Sequence, residues 1–143
     1  MRKLIVAALF LGACQKYELS VSEQTIDERY LASTYVGTPD PRKECPPVGQ
    51  KLIVEWSIPS CVLDQNPCLA LHLIYWDYTE ETIYYPVYYQ RAYQVFSLLD
   101  EDYEKKQGIL TYKAEIFTDG GDVYREWKHK LWVPLIHPHP ETE

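Results

Sequence analysis

The chain is short of positive charge. Its 143 residues include 14 Lys and Arg against 21 Asp and Glu, which gives a formal charge of −7 at pH 7. Nucleic acids and anionic lipid surfaces attract proteins that carry basic patches. The charge balance therefore argues against a nucleic-acid partner and against electrostatic docking on an anionic membrane.

The sequence also lacks the short motifs of the commonest kinds of catalysis. It has no glycine-rich phosphate loop, no Gly-x-Ser-x-Gly and no His-Glu-x-x-His. Acid clusters at 80–81 and 100–102 fall in predicted turns, where solvated charge is the ordinary explanation, although paired carboxylates across a cleft can hydrolyse glycosides. His137 and His139 lie in a Pro-rich terminal tail, which would hold a metal ion poorly. We predict no catalytic residue, no metal site and no cofactor.

No apolar run reaches the roughly twenty residues that a membrane-spanning helix needs. The apolar residues 4–11 follow Arg2 and Lys3 and end in Leu11-Gly12-Ala13-Cys14. A short basic start, a brief apolar run and small residues are typical of a secretion signal. The N-terminus is therefore predicted to direct export.

The box Leu11-Gly12-Ala13-Cys14 resembles the lipobox of bacterial lipoproteins. The resemblance implies that residues 1–13 are removed as a signal peptide and that Cys14 is lipidated, with palmitate or a similar chain, at the mature N-terminus. The acyl chains would anchor the protein in a membrane of the cell envelope, at about 0.8 kcal/mol per buried methylene. Gln15 stands where an aspartate often retains lipoproteins at the inner membrane, which favours the outer membrane. The alternative is a plain cleaved signal peptide with Cys14 incidental.

The polar residues 14–29 are predicted to form a lipidated tether, because their composition buries too little apolar surface to order itself. The folded domain is predicted to span residues 30–136, and residues 137–143 to form a flexible tail.

Three cysteines, Cys45, Cys61 and Cys68, follow Cys14 in a chain expected to reach an oxidising compartment. Cys61 and Cys68 enclose Asn66-Pro67, a turn signal, so they are the favoured disulfide pair. Cys45 lies before a predicted strand, and Cys61 lies after it. A seven-residue strand spans over 20 Å, which separates these two cysteines and disfavours a bridge between them. A zinc site is the alternative interpretation, but the cysteine spacing lacks the second close pair of cysteines that such sites usually have.

Apolar and polar residues alternate along several segments, which predicts half-buried strands. The segments are 52–58, 69–78, 92–99, 110–116 and 123–133, with an edge segment at 82–89 interrupted by Pro86 and a brief β-prone stretch at 30–36. Residues 104–107 could form a helical turn that Gly108 stops, and Gly120-Gly121 predicts a hairpin between the last two strands. The count is six or seven strands with no long helix, which indicates an all-β sandwich.

The order of these parts resembles the fibronectin type III and immunoglobulin-like superfamily. An early strand carries an inward Trp56 followed by Pro59, and a Gly-x-x-x-Tyr-x-Ala-x-Ile stretch from Gly108 to Ile116 opens the final hairpin. The resemblance implies a single antiparallel sandwich of about seven strands. It also places Tyr112 at the tyrosine corner, whose hydroxyl would bind upstream backbone.

Aromatic residues are the unusual feature of the sequence, because residues 69–96 hold more of them than one face of a small core can take. Adjacent tyrosines point to opposite faces of a strand, so one of each pair should face outward. Exposed tyrosines suit contact surfaces, although they also tolerate half-buried sheet positions. The candidate binding residues are Trp76, Tyr78, Tyr84, Tyr85, Tyr88 and Tyr89.

The sequence therefore predicts a lipid-anchored, non-catalytic module that binds a protein partner in the envelope. The alternative is a glycan-binding module with Tyr and Trp as stacking platforms. A cell-wall enzyme is the third reading, and it needs a cleft that brings acids together.

Overall fold

The alternating segments form seven strands in the computed structural model, which describes residues 16–135. The strands are β1 (Glu18–Ile26), β2 (Gly49–Ser57), β3 (Cys68–Tyr75), β4 (Glu80–Pro86), β5 (Arg91–Leu99), β6 (Ile109–Phe117) and β7 (Val123–Lys128). Short helices lie between them: α1 (Ser33–Val36), α2 (Ser60–Leu63), α3 (Asp100–Lys106) and 3₁₀ turns at Glu28–Tyr30 and Pro41–Lys43.

The strands form two antiparallel sheets. The three-stranded sheet has the order β1-β2-β5, and the four-stranded sheet has the order β4-β3-β6-β7. This arrangement confirms the predicted all-β sandwich and is compatible with an immunoglobulin or fibronectin type III fold. β3 is an inner strand, β7 is one edge, and β4 is the other edge, as predicted for the segment 82–89.

The core lies between the sheets and is made of the inward positions of each strand. Leu52, Val54 and Trp56 of β2 are buried there, as the alternation predicts. On the opposite sheet the buried residues include Leu69, Leu71, Leu73 and Tyr75 of β3, with Tyr112, Ala114 and Ile116 of β6.

The segment predicted to be a tether is folded for most of its length. Residues 18–26 form β1, which pairs with β2 over nine residues and buries Leu19, Val21 and Ile26. The prediction that residues 14–29 lack order is therefore wrong for these residues. Pairing along a complete neighbouring strand compensates for the small number of apolar side chains. Cys14 and the predicted signal peptide, residues 1–13, lie outside the described residues.

Two other segments differ from their predicted form. Residues 30–36 do not form the predicted β stretch, because Asp27 caps a 3₁₀ turn that ends at Tyr30 by accepting from the Arg29 N–H, and residues 33–36 form α1. The single helical turn predicted at 104–107 belongs to the longer α3. That helix has acids in its first turn and lysines in its last, which suits the helix dipole.

Two predicted strands end early. β3 stops at Tyr75, because Tyr78 adopts a left-handed backbone with φ 62° in the tight turn to β4. β7 stops at Lys128, where His129 N–H donates to the Tyr112 carbonyl and the chain turns back across the four-stranded sheet.

The cysteines and Tyr112 also depart from expectation. Cys45, Cys61 and Cys68 are free thiols in the described part of the chain, so the predicted Cys61–Cys68 bridge is not formed there. Cys61 is exposed on α2, whereas Cys68 is half-buried at the start of β3. The Tyr112 hydroxyl donates to the Glu23 carboxylate at 3.4 Å instead of upstream backbone. Burial and the charge of Glu23 raise the pKa of Tyr112 to about 12.

The sandwich has two distinct ends. At the near end, where β1 begins, Glu18, Ser57 and Arg91 stand in one row across the three-stranded sheet. At the far end, Ile26, Gly49 and Leu99 form the corresponding row. The far end carries the β1–β2 connection, the β3–β4 turn and α3, whereas the near end carries α2, the β4–β5 connection and the β6–β7 turn.

Candidate functional site

The predicted binding aromatics do not form one surface. Trp76 and Tyr78 lie in the β3–β4 turn at the far end, whereas Tyr88 and Tyr89 lie in the β4–β5 connection at the near end. The eight-residue strand β3 runs between these ends, a length of about 26 Å. The structure therefore divides the candidates into a far pair and a near pair, with Tyr84 and Tyr85 on the strand between them.

The far pair is held out into solvent by a tight turn. Trp76 is 51% exposed and Tyr78 is 68% exposed. Trp76 N–H donates to the Gly108 carbonyl and Tyr78 N–H donates to the Tyr75 carbonyl, both at 3.0 Å. Thr79 donates to the Asp77 carboxylate through its hydroxyl (2.6 Å) and its N–H (3.0 Å), and these hydrogen bonds lower the pKa of Asp77.

The near pair is exposed on a connection that the core holds in place. Tyr88 and Tyr89 are 71% and 69% exposed. The buried Trp56 donates its Nε1–H to the Tyr89 carbonyl at 3.0 Å, and Val87 is buried beside the pair. Both rings therefore project from a fixed backbone.

On β4 the two tyrosines alternate as the sequence predicts. Tyr84 faces outward and is exposed, whereas Tyr85 is half-buried and packs against the core. Burial raises the pKa of Tyr85. The prediction for Tyr88 and Tyr89 is wrong, because both are exposed. Their segment lies beyond the end of β4 at Pro86, so the alternation of a strand does not apply to it.

Sequence reasoning missed a hollow on the outer face of the three-stranded sheet. It has a volume of about 360 Å³ and is lined by Glu18, Ser20, Glu55, Trp56, Ser57, Arg91, Ala92 and Tyr93. The ring of Tyr93 is exposed beside Glu55, its cross-strand partner, and Arg91 Nε donates to Ser57 Oγ at 3.3 Å. The sequence feature that could have revealed this hollow is Tyr93, because it alternates with the half-buried residues of β5.

A polar cluster on the outer face of the four-stranded sheet was also missed. The Glu115 carboxylate, 7% exposed as a residue, lies 2.8 Å from His72 Nε2 and accepts a hydrogen bond from Lys113 Nζ at 2.8 Å. The ring of Trp132 covers both partners, with Lys113 Nζ 5.5 Å from its centre and the His72 ring 6.2 Å away. The chain that follows β7 thus buries charges that the strand pattern assigns to solvent.

The electrostatics of this cluster favour a structural role. Burial acts to raise the pKa of Glu115, but hydrogen bonds and charge from Lys113 and His72 outweigh it, and the pKa is lowered. Thr82 Oγ1 lies 3.0 Å from His72 Nδ1, so a hydroxyl, an imidazole and a carboxylate stand in the order of a hydrolytic triad. However, Lys113 already neutralises the carboxylate that would stabilise an imidazolium. The cluster is better suited to fastening the C-terminal chain than to catalysis.

A buried tyrosine with a raised pKa lies at the far end. The buried Tyr75 donates its hydroxyl to Glu81 Oε2 at 2.5 Å, and Lys106 Nζ lies 4.1 Å from the centre of its ring. Burial, followed by the hydrogen bond to Glu81, raises the pKa of Tyr75. The hydrogen bond holds the edge strand β4 against the core, and the Lys106 contact does the same for α3.

The described residues show neither a metal-binding cluster nor a membrane-spanning helix. No three His, Cys, Asp or Glu side chains between residues 16 and 135 are grouped so that they could hold a metal ion. No helix in that range is long and apolar enough to cross a membrane. The chain matches no protein-family model, no curated protein and no solved structure.

Proposed function

We propose that the protein is a lipid-anchored, non-catalytic binding module of the bacterial cell envelope. In this proposal Cys14 carries the lipid, and the far pair, Trp76 and Tyr78, contacts a protein partner. The observation that supports it most is the placement of the far pair at the end of the sandwich opposite to the start of β1.

Chain length links this placement to the anchor. Only residues 15–17 separate Cys14 from the first residue of β1, Glu18. Four residue steps span at most about 14 Å, so a lipid on Cys14 keeps the near end close to the membrane. The far end then points away from the bilayer, where another envelope protein can reach it.

The far pair has the properties of a contact surface. Tyr and Trp are enriched among the residues that contribute most to binding between proteins. The hydrogen bonds within the turn fix both backbones before a partner arrives, so little conformational entropy is lost on binding.

Photocrosslinking in cells tests the protein-binding role. A photoreactive amino acid at position 78 of the lipidated protein should give a discrete crosslinked partner, and Trp76→Ala in the same chain should weaken that product. Position 84, equally exposed but on the outer face of β4, is the matched control. Equal products from both positions, or a product indifferent to Trp76→Ala, would contradict the proposal.

Detergent partitioning tests the anchor separately. The parent protein should enter the detergent phase of a Triton X-114 extract, and Cys14→Ser should leave it in the aqueous phase or uncleaved. If both forms partition alike, the anchor is not at Cys14.

The hollow on the three-stranded sheet favours glycan binding as a second candidate function. Tyr93 offers an exposed ring for a sugar face, and Glu55, Arg91 and Ser57 offer hydrogen-bonding groups beside it. Purified protein should sediment with insoluble cell-wall polysaccharide, and Tyr93→Ala should reduce the bound fraction while Tyr84→Ala does not. Sedimentation that neither substitution alters would exclude this site.

A further inference from the structure

The near pair, Tyr88 and Tyr89, stands on the same end of the sandwich as the predicted anchor. Glu18, Ser57 and Arg91 form one row across the three-stranded sheet, so β5 begins at the level where β1 begins. Tyr89 precedes Arg91 by two residues and therefore lies at or beyond this row. Neighbouring strands are about 4.8 Å apart, which places the start of β5 about 10 Å to the side of the start of β1.

The near pair also has the chemistry of a membrane-interface contact. A tyrosine ring is apolar, and its hydroxyl binds water or headgroups, so tyrosine is enriched at the level of the headgroups. Both rings are largely exposed, and folding has left them without a place in the core.

The backbone that carries the rings is fixed on both sides. Val87 N–H donates to the Pro67 carbonyl at 3.0 Å, and Ile58 N–H donates to the Gln90 carbonyl at 2.8 Å. With the hydrogen bond from Trp56 to the Tyr89 carbonyl, these contacts fix the backbone, so docking has to order only the two side chains.

Electrostatic attraction does not draw the near end of the sandwich to a membrane. The β6–β7 turn at the same end carries Asp119 and Asp122, and α2 is followed by Asp64. These acids exceed the nearby bases Lys16 and Arg91 in number. An anionic membrane would therefore repel this end of the domain on balance, and the rings have to provide the attraction.

We propose that Tyr88 and Tyr89 insert into the headgroup layer of the membrane that holds the lipidated Cys14, and so fix the orientation of the domain. This inference rests on the proposed lipid anchor. The anchor and the near pair form two points of attachment on one end of the sandwich, which keeps the far pair directed away from the bilayer.

Fluorescence quenching in vesicles tests the inference. The lipidated protein is reconstituted in phosphatidylcholine vesicles that contain lipids brominated near the headgroup, with Tyr88→Trp in one variant and Tyr78→Trp in another. Thermal melts of both variants confirm folding, and Tyr89→Trp serves as the alternative if Tyr88→Trp does not fold. Relative to the parent protein, Tyr88→Trp should show added emission that is blue-shifted and is lost with the brominated lipid. Tyr78→Trp should show added emission that is neither shifted nor quenched.

The outcomes separate this inference from the proposed function. If the parent protein does not associate with the vesicles, or Cys14→Ser associates equally, the lipid anchor is wrong. If the protein associates through Cys14 but position 88 is no more quenched than position 78, the anchor stands and the insertion of the near pair is refuted.

Discussion

Replacing Glu115 by Gln should destabilise the protein far more than the same change at a neighbouring ion pair. The Glu115–Lys113 pair has side-chain exposures of 10% and 18%. On the adjacent strand, Glu126 and Lys128 form a pair of nearly the same length, 3.0 Å, with exposures of 47% and 48%. Glu115 faces Glu126 across the sheet, and Lys113 faces Lys128. The two pairs therefore differ in burial and in the contacts that His72 and Trp132 make with the buried pair.

The expected loss in the free energy of unfolding follows from the contacts that Gln cannot make. Glu115→Gln removes the charge and leaves Lys113 under the Trp132 ring without its carboxylate, and the amide N–H₂ has to face either Lys113 or His72. Breaking a buried pair from one side costs about 3–5 kcal/mol, and partial exposure of this pair reduces the expected loss to about 2–3 kcal/mol. Glu126→Gln should cost about 0.5 kcal/mol or less, as exposed pairs do.

Urea denaturation at pH 7 and at acidic pH provides the assay. The lowered pKa of Glu115 means that its carboxylate stabilises the fold above the ordinary carboxyl pKa of about 4.3 and loses this effect as the pH falls through the lowered value. The difference in the free energy of unfolding between the parent protein and Glu115→Gln should therefore become smaller at acidic pH. The reasoning would be refuted if Glu115→Gln and Glu126→Gln lowered the free energy of unfolding equally. It would also be refuted if the difference between the parent and Glu115→Gln did not change with pH.

Four further substitutions test the packing. Tyr85→Ala should lower the free energy of unfolding by about 2–3 kcal/mol, whereas Tyr84→Ala on the same strand should change it by less than about 0.5 kcal/mol in the same urea titration. Gly49→Ala should lower the melting temperature, because its Cβ would stand 2.1 Å from the Leu98 carbonyl oxygen; an unchanged melt would mean that β2 and β5 separate there without cost. Trp56→Phe should cost about 1 kcal/mol or more, because the carbonyl of the β4–β5 connection loses its indole donor, and an unaltered stability would show that water replaces that donor.

The strands of the central part of the chain could be predicted because their local pattern and their burial agree. In β2, for instance, Leu52, Val54 and Trp56 recur at every second position, and all three face the core. β1 was missed for the opposite reason. Only Leu19 and Val21 alternate at its start, and the rest of the strand is ordered by pairing with β2, a partner more than twenty residues away.

The candidate surfaces were less predictable than the fold, because exposure depends on which distant segment covers a residue. Glu115 lies on the polar face of β6, so its sequence pattern indicates solvent, yet Trp132 returns from beyond β7 to cover its partners. Tyr88 and Tyr89 could be identified as surface candidates but not placed together, because the exact end of β4 determines whether neighbours alternate. No local pattern contains that information.

The β5 edge of the three-stranded sheet has a consequence for self-association. Beyond Arg91 at its start, β5 contains no charged side chain and no proline, so most of this edge lacks the usual features that block pairing with another strand. At the other edge, β1 carries Glu18 and Glu23 and lies against β7. Two copies that met through β5 would form a two-fold symmetric pair in which each edge covers the other, and such an arrangement closes at the dimer instead of growing into a fibre.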